Sequence, residues 1–355
     1  MRSALSWPGA PMALVSAALF GASTPLAKLL LGGGLDPWAL AGLLYLGSGI
    51  GLGAVHLSRG LFGMPSTEAP LRRADLPWLA LVILCGGIMG PLLLMIGLTT
   101  TAASAAALLL NVEGLATMAI AWLVFRENVD RRLLIGALAI LAGALLLSWQ
   151  GGPSGVGIGA LAIIGACAAW GIDNNLTRKL SSADPVQLAA IKGLVAGSVN
   201  LALAWSRGAV LPSPGIMASG ALIGFFGYGV SLVLFVLALR HLGTARTGAY
   251  FSTAPFLGTV LALALFPESL SLKLIGAAIL MAIGLYLHLT EQHQHDHAHE
   301  AMTHEHRHVH DSHHQHVHGP GDPTGEPHSH VHHHVPMVHR HPHYPDLHHR
   351  HEHDH

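Results

Sequence analysis

Glu113 stands alone as an acid inside a long apolar run, Ala102 to Phe125, with Asn111 and Thr117 beside it. A charge held at mid-bilayer costs about 3 kcal/mol on insertion scales, so such a carboxyl is a site candidate by default. Thr117 is four residues on and shares the helical face of Glu113. A buried carboxyl there can couple to protons or hold a cation; the bland alternative is a protonated Glu hydrogen-bonded to a neighbouring helix. A second group, Asp173-Asn174-Asn175, follows Trp170-Gly171 in another apolar run. Three consecutive helical side chains sweep about 200°, so at least one faces protein or a cavity rather than lipid. The sequence leaves open whether this helix breaks at the triplet or simply ends near Leu176. Lys192 lies two turns into the next run, where snorkelling outward is the expected role and pairing with Glu113 or Asp173 the alternative.

A third group is of a different kind. Between Glu291 and His355 stand 25 of the 28 histidines, many alternating, as at His293, His295, His297 and His299 and again at His304, His306, His308 and His310. Neutral imidazoles suit Zn²⁺, Ni²⁺, Co²⁺ and Cu²⁺. The alternation therefore predicts divalent-metal binding along a tail too polar to fold alone. Elsewhere only His56, His241 and His288 occur, all near helix ends, and no imidazole site lies at mid-membrane. Cys85 and Cys167 both sit in apolar runs, which supports neither a disulfide framework nor a thiolate metal site.

The elements that must position these residues follow from composition. The chain is 51% hydrophobic and 10% charged, with a mean hydropathy of +0.50. An ordinary globular domain carries roughly a quarter charged residues, so this one cannot make a water-soluble surface. Runs long enough to span a bilayer lie near Pro11 to Leu31, Trp38 to His56, Leu76 to Leu98, Ala102 to Phe125 and Leu133 to Trp149. Five more follow at Val156 to Leu176, Val186 to Trp205, Met217 to Leu239, Thr247 to Phe266 and Leu272 to Leu289. Ten spans result, the division between the third and fourth being the least marked. With the N-terminus inside, 11 Lys and Arg fall in the cytoplasmic connections and three, Lys28, Arg207 and Lys273, on the other side. That bias predicts a multi-pass inner-membrane protein with both termini in the cytoplasm.

The chain also repeats itself. Phe20-Gly21 matches Trp170-Gly171, Asp36-Pro37 matches Asp184-Pro185, and Phe125-Arg126-Glu127 matches Phe266-Pro267-Glu268. Three anchors in the same order make two five-helix repeats, and an odd number of spans forces the second half to enter from the opposite side. The fold class read here is all-α integral membrane, ten transmembrane helices as two inverted five-helix repeats, followed by a disordered tail. The expected units are 10–149, 156–289 and 291–355.

On these motifs, residues 10 to 290 resemble the EamA branch of the drug/metabolite transporter superfamily. The resemblance implies ten helices in two repeats, a Trp-Gly type motif in helices 1 and 6, and a Glu at the ends of helices 4 and 9. It also implies an Ala-Pro pair in helices 4 and 9. Ala254-Pro255 supplies the second, but Glu113-Gly114 stands at the matched place in the first half. Glu127 and Glu268, at helix ends next to basic residues, read as interfacial orientation markers rather than site groups.

The function expected is secondary transport, export by the family's example, of a small metabolite or drug-like solute by alternating access with proton coupling. Its pathway residues are Glu113, Asn111, Thr117, Trp170, Asp173, Asn174, Asn175 and Lys192. The alternatives are a divalent metal transporter and, more distantly, a membrane-anchored metal sensor or store. No Gly-Lys-Ser/Thr phosphate loop occurs, and no enzymatic constellation is found. No cofactor is required, and divalent metal belongs to the tail. The partners are a solute, the lipid bilayer and metal ions, with no nucleic acid; a homodimer is left open.

Overall fold

The computed structural model describes residues 9–61, 71–125, 131–149, 156–177, 180, 184–242, 244–290, 293–299, 302–308, 328–334 and 337–343. Each predicted span is helical. The helices are α1 Gly9–Gly32, α2 Pro37–Leu61, α3 Arg73–Thr100, α4 in two segments Ala103–Leu109 and Val112–Phe125, and α5 Arg131–Ser148. The second half comprises α6 Ile158–Thr177, α7 Pro185–Ser206, α8 Pro214–Ala238, α9 in two segments Thr244–Phe251 and Ala254–Leu265, and α10 Leu272–Leu289. Eight of these, all but α6 and α9, meet length and hydropathy requirements for crossing a membrane outright. The polar triplet in α6 and the interruption in α9 account for the other two.

The packing is reciprocal between the halves. Helix α1 packs on α8 and α9 as α6 packs on α3 and α4, while α2 lies along α7 and α5 along α10. The contact of α2 with α7 depends on absent side chains. A Cβ on Gly49 would come within 2.3 Å of the Leu194 nitrogen, and one on Gly193 within 2.5 Å of the Gly49 nitrogen. Backbone thus meets backbone, the packing by which membrane helices associate without a hydrophobic driving force between them.

The sequence repeats have physical counterparts. Asp36 Oδ1 accepts from the backbone N–H groups of Trp38 and Ala39 at 2.9 and 3.0 Å, and Asp184 Oδ1 accepts from those of Val186 and Gln187 at 2.8 and 3.4 Å. Each Asp caps a helix that opens on Pro, whose missing N–H would have had no partner in any case. Helices α3 and α8 each widen into a π turn, at Ile83–Met89 and at Phe225–Val230. Helices α4 and α9 each break at mid-length. Asn111 Nδ2 bonds the Leu108 carbonyl at 2.9 Å in one break, and Thr253 Oγ1 bonds the Tyr250 carbonyl at 2.6 Å in the other. One turn later Thr117 Oγ1 donates to the Glu113 carbonyl and Thr259 Oγ1 to that of Pro255. This pattern sets Val112-Glu113 against Ala254-Pro255, one residue from the match made on sequence.

The three basic residues expected on the sparsely charged side each serve a local purpose. Lys28 donates to the Leu98 carbonyl at the C-terminus of α3, and Lys273 to the Trp149 carbonyl after α5. Both satisfy carbonyls that a helix end leaves without partners. Arg207 stacks over the Trp38 ring at 4.8 Å.

In the tail, where composition predicts no regular structure, four described segments are extended and paired. They are β1 His293–His299, β2 Met302–His308, β3 His328–His334 and β4 Met337–His343. β1 pairs with β4 and β2 with β3, both antiparallel.

Candidate solute site

Polar residues of both halves converge where α6 crosses α3, α4 and α7. The π turn of α3 begins the construction. A widened turn disturbs the regular backbone ladder, and such turns gather at functional sites. Three side chains reach its glycine carbonyls. Tyr45 Oη from α2 donates to Gly86 O at 2.6 Å, Trp170 Nε1 from α6 donates to the same oxygen at 3.0 Å, and Asn200 Nδ2 from α7 donates to Gly87 O at 3.2 Å. Gly86 is required here, because a Cβ would fall 1.9 Å from Asp173 Oδ2. In the second half the equivalent contact is milder: a Cβ on Gly227, in the α8 π turn, would meet Ser23 Cβ at 2.7 Å.

Helix α6 runs unbroken to Thr177, so the triplet does not interrupt it; the breaks fall in α4 and α9. The three side chains divide as the helical sweep requires. Asp173 is buried and points to α7, where Lys192 Nζ lies 2.5 Å from its Oδ2, and Thr177 Oγ1 donates to its Oδ1 at 3.2 Å. Lys192 therefore does not snorkel outward. Its ammonium is turned inward because the Asp173 carboxylate is within reach across the interface, and opposite charge in a low dielectric outweighs the pull of the headgroup region. Asn174 is exposed and reaches α4, donating through Nδ2 to Glu113 Oε1 at 3.0 Å and to Thr117 Oγ1 at 3.2 Å. Asn175 is buried and stitches the two helices together, donating to Thr117 O at 3.0 Å and Gly171 O at 2.8 Å.

Glu113 occupies the first turn of the second α4 segment, just past the break. It is half-buried, and its Oε1 receives the Asn174 amide, so α4 and α6 meet at this carboxyl. Tyr228 stacks against Tyr45 at 5.3 Å and against Phe20 at 6.0 Å, and Phe20 meets Phe251 at 5.4 Å. An aromatic wall from both halves, Phe20 and Tyr45 of the first with Tyr228 and Phe251 of the second, therefore adjoins the polar cluster through Tyr45. Two buried amide oxygens, Asn175 Oδ1 and Asn200 Oδ1, have no hydrogen-bond partner among the described residues.

Of the predicted pathway residues, Glu113, Thr117, Trp170, Asp173, Asn174, Asn175 and Lys192 are brought together. Asn111 is not. Its amide is held by the α4 break and its Nδ2 points to Met281 Sδ of α10 at 3.8 Å. Tyr45, Asn200 and Tyr228 were missed. Asn200 could have been found as a lone amide in mid-helix; the tyrosines carried no signal beyond their hydroxyls. The predicted tail histidines lie on β1 and β2, except His310, which lies outside the described residues. Glu127 lies outside them too, while Glu268 accepts from the Ala103 and Ser104 N–H groups at 2.8 and 3.1 Å, closing the start of α4.

Ten helices in two reciprocal halves, eight of them long and apolar enough to cross a bilayer, define a multi-pass membrane protein. The chain belongs to the EamA-like transporter family, whose pattern matches residues 7–149 and 157–290. It is 28% identical over 282 residues to an uncharacterized transporter of Methanothermobacter thermautotrophicus, covering 76% of this chain and 82% of that one. A solved structure, described as the crystal structure of a protein, is similar in fold with a TM-score of 0.57 at 20% identity, over 78% of this chain and 95% of the other.

Proposed function

We propose that the chain exports a small amino-acid-like or other polar metabolite by alternating access, with Glu113 as the proton or cation site and with a tail that binds divalent metal. The observation that carries the reading is the Glu113–Asn174 hydrogen bond beside the Asp173–Lys192 pair. Carboxyl, amide and ammonium groups of both signs stand within one cluster, which suits a solute bearing both charges. The partnerless amide oxygens of Asn175 and Asn200 support it, since a buried acceptor without a protein partner calls for water or a ligand. The tyrosine wall offers a second, less polar surface. Helices that break at a polar cluster are the usual frame for such sites in transporters with inverted repeats.

Both termini are assigned to the cytoplasm of an inner-membrane protein, on the 11 to 3 distribution of Lys and Arg. Metal as the transported solute is the weaker reading: among the described residues no group of three His, Cys, Asp or Glu could hold an ion.

Glu113→Gln keeps the size and the acceptor for Asn174 but removes the titratable group. In proteoliposomes, the variant should insert normally and lose gradient-driven movement of candidate amino acids, while the parent's rate follows pH. Parent-like transport with an unchanged pH profile would make Glu113 a packing residue.

A further inference from the structure

Helix α7 ends in a turn that builds a second site, away from the polar cluster. Gly208, with φ +84°, closes a Schellman motif: its N–H donates to the Trp205 carbonyl at 2.9 Å, and that of Ala209 to the Ala204 carbonyl at 3.0 Å. Residues 209–212, Ala-Val-Leu-Pro, are thereby turned back against α7. With the helices they bound an apolar cavity of about 320 Å³, walled by Leu43 and Leu46 of α2, Leu201 and Trp205 of α7, Val210 of the turn and Met217 of α8. None of the lining side chains is charged. Beyond the cavity the helices close up: a Cβ on Gly47 would fall 2.2 Å from the Ala221 oxygen, and one on Gly197 2.5 Å from the Leu46 nitrogen.

The rim carries two kinds of group. Trp205, Val210 and Leu211 are exposed apolar side chains at a helix end, where a membrane protein meets lipid. Arg207 stands between them in the chain and is exposed, with its guanidinium over the Trp38 ring at 4.8 Å. Stacking orients the planar group and leaves its N–H edge open. Among the described residues no acceptor takes those donors, and Asp36, two positions before Trp38, has its Oδ1 committed to the α2 cap. We infer that this slot holds an anionic phospholipid, with an acyl chain in the cavity and the phosphate on Arg207. The volume is within the range of ligand sites, about 300–1,000 Å³. A wall without polar partners suits hydrocarbon and not water. A guanidinium edge matches two phosphate oxygens at once, which a neutral or zwitterionic surface neighbour does not require. The slot shares no residue with the candidate solute site, so neither assignment depends on the other.

The test is native mass spectrometry of the full-length protein, released from detergent after titration with dioleoyl phosphatidylglycerol or dioleoyl phosphatidylcholine. One phosphatidylglycerol should bind about tenfold or more tightly than phosphatidylcholine, the worth of a charge-assisted hydrogen bond. Arg207→Gln, an exposed change that leaves the helices intact, should bring phosphatidylglycerol down to the level of phosphatidylcholine, and Arg207→Lys should restore part of the difference. Ala209→Phe puts a ring where the acyl chain lies and should weaken both lipids alike. Equal binding of the two lipids by the parent would overturn the proposal. So would a preference that survives Arg207→Gln. An Arg207→Gln effect with none from Ala209→Phe would mean attraction at the surface without a built slot. A dimer in the spectra of the parent that Ala209→Phe dissolves would give the cavity to a second copy of the chain instead.

Discussion

Lys192 Nζ lies 2.5 Å from Asp173 Oδ2 across the α6–α7 interface, with the two side chains 16% and 7% exposed. Removing one partner strands a charge in a poorly solvated place, at a cost of about 3–5 kcal/mol. Asp173→Asn and Lys192→Met should therefore each lower the unfolding midpoint in detergent strongly. The double variant Asp173→Leu with Lys192→Met should recover much of the stability yet fail to transport. Single variants as stable as the parent would mean the pair is solvated and weak.

Gly86→Ala should be harmful out of proportion to one methyl group, because its Cβ would overlap Asp173 Oδ2. The side chain or the helix must shift, costing about 1–3 kcal/mol, and the Tyr45 and Trp170 bonds to the Gly86 carbonyl should shift with it. Gly53→Ala, where nothing stands within 4 Å, is the control and should be neutral or slightly stabilising. Tryptophan fluorescence and thermal unfolding of the two variants decide the matter.

Glu268 reaches from the end of α9 to the first N–H groups of α4, 165 residues away in sequence from Ala103. Glu268→Ala should cost about 1–2 kcal/mol, the range for a lost helix cap, and should raise hydrogen exchange at Ala103 and Ser104. Exchange unchanged at both amides would show that water or another group replaces the carboxylate.

The two asparagines of the α4 region should separate in function. Asn174→Ala removes the donor to Glu113 and Thr117, so the apparent solute affinity should fall by up to about tenfold, the worth of one hydrogen bond in an exposed place. Asn111→Ala loosens the helix break instead and should act on stability with little change in KM. Equal KM shifts in both would place Asn111 in the pathway after all.

What was legible in the sequence is what local chemistry dictates. Apolar length marks each helix, and Asp-Pro marks a capped start twice, because cap and helix are neighbours in the chain. Glu113 and the α6 triplet were visible because charge and amide are conspicuous among leucines. The π turns were not, since Ile83–Met89 reads as an ordinary apolar run and its widening shows only against Tyr45, Trp170 and Asn200 on three other helices. The inward turn of Lys192 was hidden for the same reason: its partner is on another helix, and either direction satisfies an ammonium. The tail pairing joins segments that only a register can relate.

The paired breaks in α4 and α9 separate what the two halves share from what each has to itself. Features present in both halves, the Asp-Pro caps, the widened turns and the broken fourth helix, belong to the unit that was duplicated. Where the copies part, one has Glu113 and the other Pro255, one has Asp173 over its glycine and the other Ser23. Those acids set the copies apart within the frame they share. The halves are consequently no longer interchangeable. Exchanging Pro255 for Glu would put a second carboxyl just past the α9 break, at the position that matches Glu113.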